Sequence, residues 1–520
     1  MIFIQLFSPL TCSALPDNDE IVNYLSQMQY VPFEEDLSPE VLVMDVNPIK
    51  PALITMEEAE QDVQRLFYLL KNGYSGYGYF SSFQNFSSAK ENVLQELQNQ
   101  SHWTVTDFSN LIYNHLNFLH DCHLGIGGKK YGSHMDFWYD QCFELKNDSG
   151  VYFFSSNDVH FNVTTVNGEN PENYLFPSLN AQGEAILRLG VLSYSPPDPL
   201  IIKAQSGQQS YEWTVLLGNS PSKYSSIFMD EQIGGIPVVR IRSFGDSNTK
   251  YVDMFLECAK KYQDEPCIII DVRGNSGGNE AYPRQWVTEY TGVNPERVQI
   301  FTQLVSETAM MGRSNYFAYN LNRDPGLKEQ GYDTKMVEFR GYADSIENKD
   351  FDPYWLPYNV PGSQIIPNNN TIIVLMDANV FSAGEGFLGY LNNVENVVFI
   401  GENSGGAVIY GQMSAHRLPN SKLLVNLPIS LNFFKDLVYR EEKGFYPDLW
   451  VPSGDALNYA VEAVRKGTIT TLQSYQQDIQ EIEFVPESQS FLRNEPYYFL
   501  ALYFVFILGL NVFNLIRKKG

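Results

Sequence analysis

The sequence predicts an α/β fold with a βαβ core, a helical N-terminal region, a β-rich middle domain and a C-terminal transmembrane helix. Three observations carry that reading. From Gly235 onward, short β-branched runs such as Cys267-Ile268-Ile269-Ile270-Asp271 and Thr371-Ile372-Ile373-Val374-Leu375-Met376 alternate with helical stretches. That is the pattern of parallel strands joined by crossover helices. Upstream, helical periodicity over residues 55–124 gives way to β-rich sequence over 125–230. At the far end, residues 497–516 are mostly apolar and are followed by Arg517-Lys518-Lys519.

Taken in order, residues 1–14 read as a signal peptide, apolar and closing on the small residues Ser13-Ala14, although no basic n-region precedes them. Residues 15–54 are acidic, contain proline and read as an extended lead-in. In residues 55–124, Thr55 is placed to cap a helix opening at Met56, and a second helix is expected from Val105 to Leu119, with His115 and His120 on the same stretch. In residues 125–230, Phe161-Asn162-Val163-Thr164-Thr165-Val166-Asn167-Gly168 reads as a strand entering a hairpin turn. Residues 231–473 form the core and 474–496 a polar stalk. Residues 497–516 would span roughly 30 Å as a helix, enough to cross a bilayer. Under the positive-inside rule the tail, 517–520, is cytoplasmic and the body lies outside.

Composition narrows the function. The formal charge is −26, from 61 acidic against 35 basic side chains, which excludes a nucleic-acid partner. An aromatic content of 14 % argues for a packed chain. Five cysteines in 520 residues imply no disulfide framework. Oligomeric state is not legible.

The chemistry centres on Ser382. It lies in Asn379-Val380-Phe381-Ser382-Ala383-Gly384-Glu385-Gly386, just after an apolar strand. A strand-to-helix junction exposes the hydroxyl and leaves free N–H groups beside it, where an acyl-transfer oxyanion would need them. Three further segments accompany it: Asp271-Val272-Arg273-Gly274-Asn275-Ser276-Gly277-Gly278, then Gly401-Glu402-Asn403-Ser404-Gly405-Gly406, then Pro447-Asp448. Together, in this order, they resemble the serine peptidase family of the C-terminal processing (tail-specific) peptidases, the tricorn protease core and interphotoreceptor retinoid-binding protein. The resemblance implies a crotonase/ClpP-like core and peptide or protein substrates, with no cofactor and no metal. Family members often carry a PDZ domain, so residues 125–230 are expected to be a degenerate version of one, although the carboxylate-binding loop of such domains is missing.

Within that family the lysine of the processing-peptidase branch has no counterpart in Ser404-Gly405-Gly406-Ala407. The resemblance is therefore to the tricorn-like branch, whose base is an upstream histidine in an Asp-x-His setting. Asp121-Cys122-His123 supplies it. An imidazole suits the role because its ordinary pKa, about 6.5, lies near the operating pH. The branch places a serine before that histidine to link it to a distant glutamate. Here Cys122 stands instead, a poorer hydrogen-bond partner. By spacing, Glu441 is the glutamate and Glu442 its neighbouring alternative. Ala383 and Gly277 or Gly278 would supply the oxyanion-hole N–H groups. Asp271, Arg273 and Asp448 read as architectural, and Ser404 as part of a loop lining the cleft. His120-x-x-His123 has a metal-like spacing but lacks completing ligands.

The expected function is a membrane-tethered extracytoplasmic serine peptidase. A catalytically silent ligand- or peptide-binding protein on the same fold, and a membrane-anchored interaction protein, are the alternatives.

Overall fold

The computed structural model describes residues 18–28, 37–81, 86–219, 224, 226–358, 360–362 and 364–469. The expected signal, stalk, membrane helix and tail lie outside the described residues. Among the described residues, no helix is long and apolar enough to cross a membrane.

The β-branched runs become a six-stranded sheet. Ile236–Ile241, Cys267–Asp271, Thr371–Met376, Val397–Gly401 and Leu449–Trp450 pair in parallel in chain order, and Phe228–Ile233 joins the edge antiparallel. The central strands Cys267–Asp271, Thr371–Met376 and Val397–Gly401 are almost wholly apolar because both faces are covered. Ile268, Ile270, Ile372 and Val374 face one core, which the helices Thr249–Tyr262, Ala281–Thr291 and Ala383–Leu391 close through Phe255, Trp286 and Phe387. The alternate residues Ile269, Ile373 and Leu375 face Ala456, Ala460 and Ala463 of the helix Ala456–Lys466. In such sheets ligands bind beyond the carboxyl ends of the strands, and Ser382 follows the carboxyl end of Thr371–Met376.

A second six-stranded sheet holds the opposite side of the site. Ile300–Val305, Leu424–Phe433, Gly125–Ile126 and Lys129–Lys130 run through it, and Tyr410–Arg417 pairs with Leu424–Phe433. Its apolar side, Val425, Leu427 and Ile429, packs with Leu66, Leu70, Phe108 and Ile112 of the N-terminal helices. This contact is what brings residues near position 120 to a core built mostly after position 235.

In the N-terminal region, Thr55 caps Met56–Gly73 as expected: Glu58 N–H donates to Thr55 Oγ1 at 3.1 Å and Thr55 N–H to the Glu58 carboxylate at 2.8 Å. Two expectations need correction. The lead-in is partly helical, over Asn18–Met28, because Ile21 and Leu25, one helical turn apart, are buried in the core. The helix expected to reach residue 119 is Val105–Leu116, so His120 does not share it with His115. The reason is local: Asp121 Oδ1 accepts the N–H groups of His123 and Leu124 at 2.7 and 3.0 Å and sets a turn in place of another helical turn.

The middle region is antiparallel. Val151–Ser156, Val159–Val166, Leu200–Ser206 and Gln209–Val215 belong to a five-stranded sheet packed around Phe154, Phe161 and Trp213. Asn167 and Gly168, at φ 52° and 81°, make the tight turn after Val159–Val166.

Candidate active site

Ser382 occupies a backbone conformation that few L-residues adopt, φ 54° and ψ −119°. Such strain persists only where the surroundings over-determine it, and here they do. Phe381 N–H donates to Asn275 O at 2.9 Å, Gly384 N–H to Phe381 O at 2.9 Å and Gly405 N–H to Val380 O at 2.9 Å. Ser382 N–H itself donates to Glu385 at 3.1 Å.

Glu385 is the hub of the turn. Fully buried, it also accepts the Ser404 hydroxyl at 2.6 Å and the N–H groups of Gly406 and Ala407 at 2.8 and 2.7 Å. Burial pushes its pKa up to about 7, against the pull of these donors. In sequence Glu385 is legible only as part of a motif. Its position three residues after Ser382, at the opening of a helix, was the available signal. Ser404 is buried, donates to Glu385 and accepts Phe445 N–H at 2.7 Å, so its hydroxyl is structural.

The second sheet and the turn after Val105–Leu116 carry His123 across to Ser382. The His123 Nε2 to Ser382 Oγ distance is 3.3 Å. Burial, and next the charge of Lys130, lower the imidazole pKa to about 4, so the ring is neutral at physiological pH with Nε2 able to accept the serine proton. Among the described residues, its other nitrogen, Nδ1, is buried and has no hydrogen-bond partner.

The expected link between Glu441 and the base takes a different form. Cys122 Sγ donates to Ser133 O at 3.3 Å, whereas the Cys122 backbone N–H donates to Glu441 at 2.9 Å. A backbone donor replaces the side-chain relay because the thiol points toward Ser133. Glu441 also accepts Val408 and Ile409 N–H at 3.2 and 3.0 Å, so it fixes the chain on both sides of the cleft. It is fully buried, not a solvated turn, and burial raises its pKa. Glu442 looks elsewhere, to His120 at 3.2 Å and to Ser133 N–H at 2.9 Å.

The oxyanion expectation divides. Among the described residues, the N–H groups of Ala383 and Gly278 have no acceptor. Gly277 N–H donates to Asn275 Oδ1 at 2.9 Å, which removes it as a donor to substrate. Gly277 is instead a packing glycine. A Cβ there would meet Phe381 O at 2.7 Å and Ser382 Cβ at 2.9 Å.

The residues read as architectural are so placed. Asp271 is buried between Arg240, Arg242 and Arg273, at 2.8, 3.0 and 2.8 Å. Burial alone would raise its pKa, but the Arg273 and Arg242 guanidinium groups outweigh it and hold the carboxyl well below its usual range. Asp448 accepts Phe399 N–H at 2.8 Å, and burial raises its pKa to about 6.

Ligand-type atoms of Asp121, His123 and Glu441 lie within 4.8 Å of one another, a grouping no sequence spacing revealed. Their carboxylate oxygens are already engaged, Asp121 by Tyr74 and two backbone N–H groups and Glu441 by three. A cation there would have to displace those donors.

Residues 235–451 match the family model described as Peptidase family S41. That core is the one the motif order resembled, and it makes the enzyme a serine-type peptidase. None of the curated proteins matches the chain. Among solved structures, mature CPAF complexed with lactacystin is similar at 12 % identity and a TM-score of 0.43, covering 81 % of this chain and 99 % of that one. The photosystem II D1 C-terminal processing protease aligns at 11 % identity and 0.33, covering 76 % and 93 %. The tricorn protease aligns at 13 % and 0.33, covering 81 % of this chain and 37 % of that one. Likenesses this distant carry no functional reading of their own.

Proposed function

We propose that the enzyme hydrolyses peptide bonds through an acyl-enzyme on Ser382, with His123 as general base. The observation that carries this is the 3.3 Å approach of Ser382 Oγ to His123 Nε2 at a strained turn with an unengaged N–H beside it. Ser382 Oγ attacks the carbonyl carbon as its proton passes to Nε2. The oxygen that gains the charge meets the N–H groups of Ala383 and Gly278. Collapse breaks the C–N bond, and the imidazolium returns its proton to the leaving amine. Water then attacks the ester, again losing a proton to His123, and Ser382 is released. Asp121 and Glu441 are positioning residues in this scheme, since they hold the backbone at residues 122–124.

The proposed setting is extracytoplasmic, with the C-terminal helix as tether. It rests on the apolar stretch at 497–516 followed by Arg517-Lys518-Lys519. Membrane fractionation of the full chain against one ending at residue 473 tests it, and equal recovery of both in the soluble fraction would remove the tether.

The test of the chemistry is hydrolysis of a mixed peptide library, read by mass spectrometry, for wild type, Ser382→Ala and His123→Ala. New fragments from wild type alone are expected. A folded wild type that cuts nothing would favour a silent binding protein, the reading to which the unpartnered His123 Nδ1 lends support.

A further inference from the structure

The cleft beside Ser382 and His123 encloses about 1000 Å³, and its walls invert the charge balance of the chain. Acidic side chains outnumber basic ones 61 to 35 overall, yet Arg284, Arg297, Arg313 and Lys335 line the cleft against only Asp246 and Glu280. Among the described residues, no carboxylate comes within 4.0 Å of any of the four cations.

The two cleft carboxylates are engaged by neutral donors. Asp246 accepts Asn279 Nδ2, Tyr282 OH and Tyr332 OH, each at 3.1 Å, and Glu280 accepts Tyr390 OH at 2.9 Å.

Arg313 is the most telling of the four. Its guanidinium lies 4.8 Å from the Phe317 ring and 5.1 Å from the Phe339 ring, and Nη1 donates to Met413 O at 2.7 Å. Its Nε is buried with no acceptor among the described residues. Arg297 lies over Phe301 at 4.6 Å and Lys335 over Tyr332 at 5.4 Å. Aromatic faces hold these cations in place while leaving N–H donors uncommitted. Arg297 is exposed and Arg284, Arg313 and Lys335 are half-buried, so these cations face the cleft without carboxylate partners and give it a positive potential in an otherwise acidic chain. An anionic group on the bound ligand would meet that potential.

Resting on the peptidase reading, we infer that the cleft selects peptides by their carboxylates, so that the substrates are acidic peptides. The rest of the acidic body would repel such a peptide, leaving the cleft as its point of entry.

The test uses four peptides differing only by Glu or Gln beside the cut and by a free or amidated C-terminus. Glu over Gln by about tenfold in kcat/KM, chiefly through KM and weakened at ~0.5 M salt, is expected. Arg297→Gln and Lys335→Gln should each narrow that ratio about threefold. Because a ratio is read, a loss of folded enzyme cancels. A preference for the free C-terminus without one for Glu overturns selection of acidic peptides and places the carboxylate contact at the chain end. Equal hydrolysis of all four overturns the inference and leaves the peptidase standing. No hydrolysis of any, with no labelling by an active-site serine probe, overturns both.

Discussion

The two sides of the site are built by different means. On the nucleophile side, Ser382 sits in a turn whose polar groups, Ala383 N–H excepted, are engaged locally: Glu385 alone gathers Ser382 N–H, the Ser404 hydroxyl and the N–H groups of Gly406 and Ala407. On the base side, His123 is carried on a segment held by Asp121 and Glu441 through backbone N–H groups, and its own Nδ1 has no partner among the described residues. One side is fixed atom by atom, the other by the placement of a backbone. The nucleophile side should therefore tolerate little change. The base side should depend more on where the chain runs than on which side chain sits at position 122.

The largest effect should come from the nucleophile itself. Ser382→Ala is expected to lower kcat/KM by about 10⁴-fold or more, read on any cleaved peptide. Stability should fall by no more than about 1 kcal/mol, the usual cost of losing a helix N-cap, since Ser382 caps Ala383–Leu391 in a capping box with Glu385. Next, Glu385→Ala strands four buried donors at once and should cost about 3 kcal/mol or more of stability, measured by urea unfolding. A cost under about 0.5 kcal/mol would mean that the turn does not depend on Glu385.

The pH profile probes the base side. His123 must be neutral to accept a proton, and burial lowers its pKa from the ordinary 6.5 to about 4. The rate should therefore hold as pH falls past 6.5 and drop only near 4. Over the same window, proton uptake by the unfolded chain erodes stability, because the native imidazole resists protonation. An acid limb near 6.5 would show His123 to be more solvated than its burial implies. The smallest effect is expected from Cys122→Ser. With Glu441 bonded to the backbone of residue 122, kcat/KM should stay within about threefold. A large rise would mean that the side-chain relay matters after all.

What the sequence revealed follows the same division. The nucleophile turn and the parallel strands were legible because their signals are local: a β-branched run, a polar turn and small residues in unbroken order. The pairing of His123 and Glu441 with Ser382 was read only through family resemblance, since they lie hundreds of positions apart and the second sheet brings them together. In sequence Gly277 and Gly278 are equivalent candidates for the second oxyanion donor, because two adjacent glycines look alike. Only the reach of the Asn275 side chain separates them. The cleft cations were invisible for another reason: positions 284, 297, 313 and 335 share no motif, and the missing counter-charges appear only in three dimensions.

The central claim is that His123 activates Ser382 for acyl transfer. The most direct measurement is fluorophosphonate labelling at neutral pH, with the modified residue located by peptide mass spectrometry in wild type and His123→Ala. The account predicts a phosphonylated peptide bearing Ser382 in wild type and its loss in the variant. A label on Ser404, or an unlabelled but folded wild type, would contradict it.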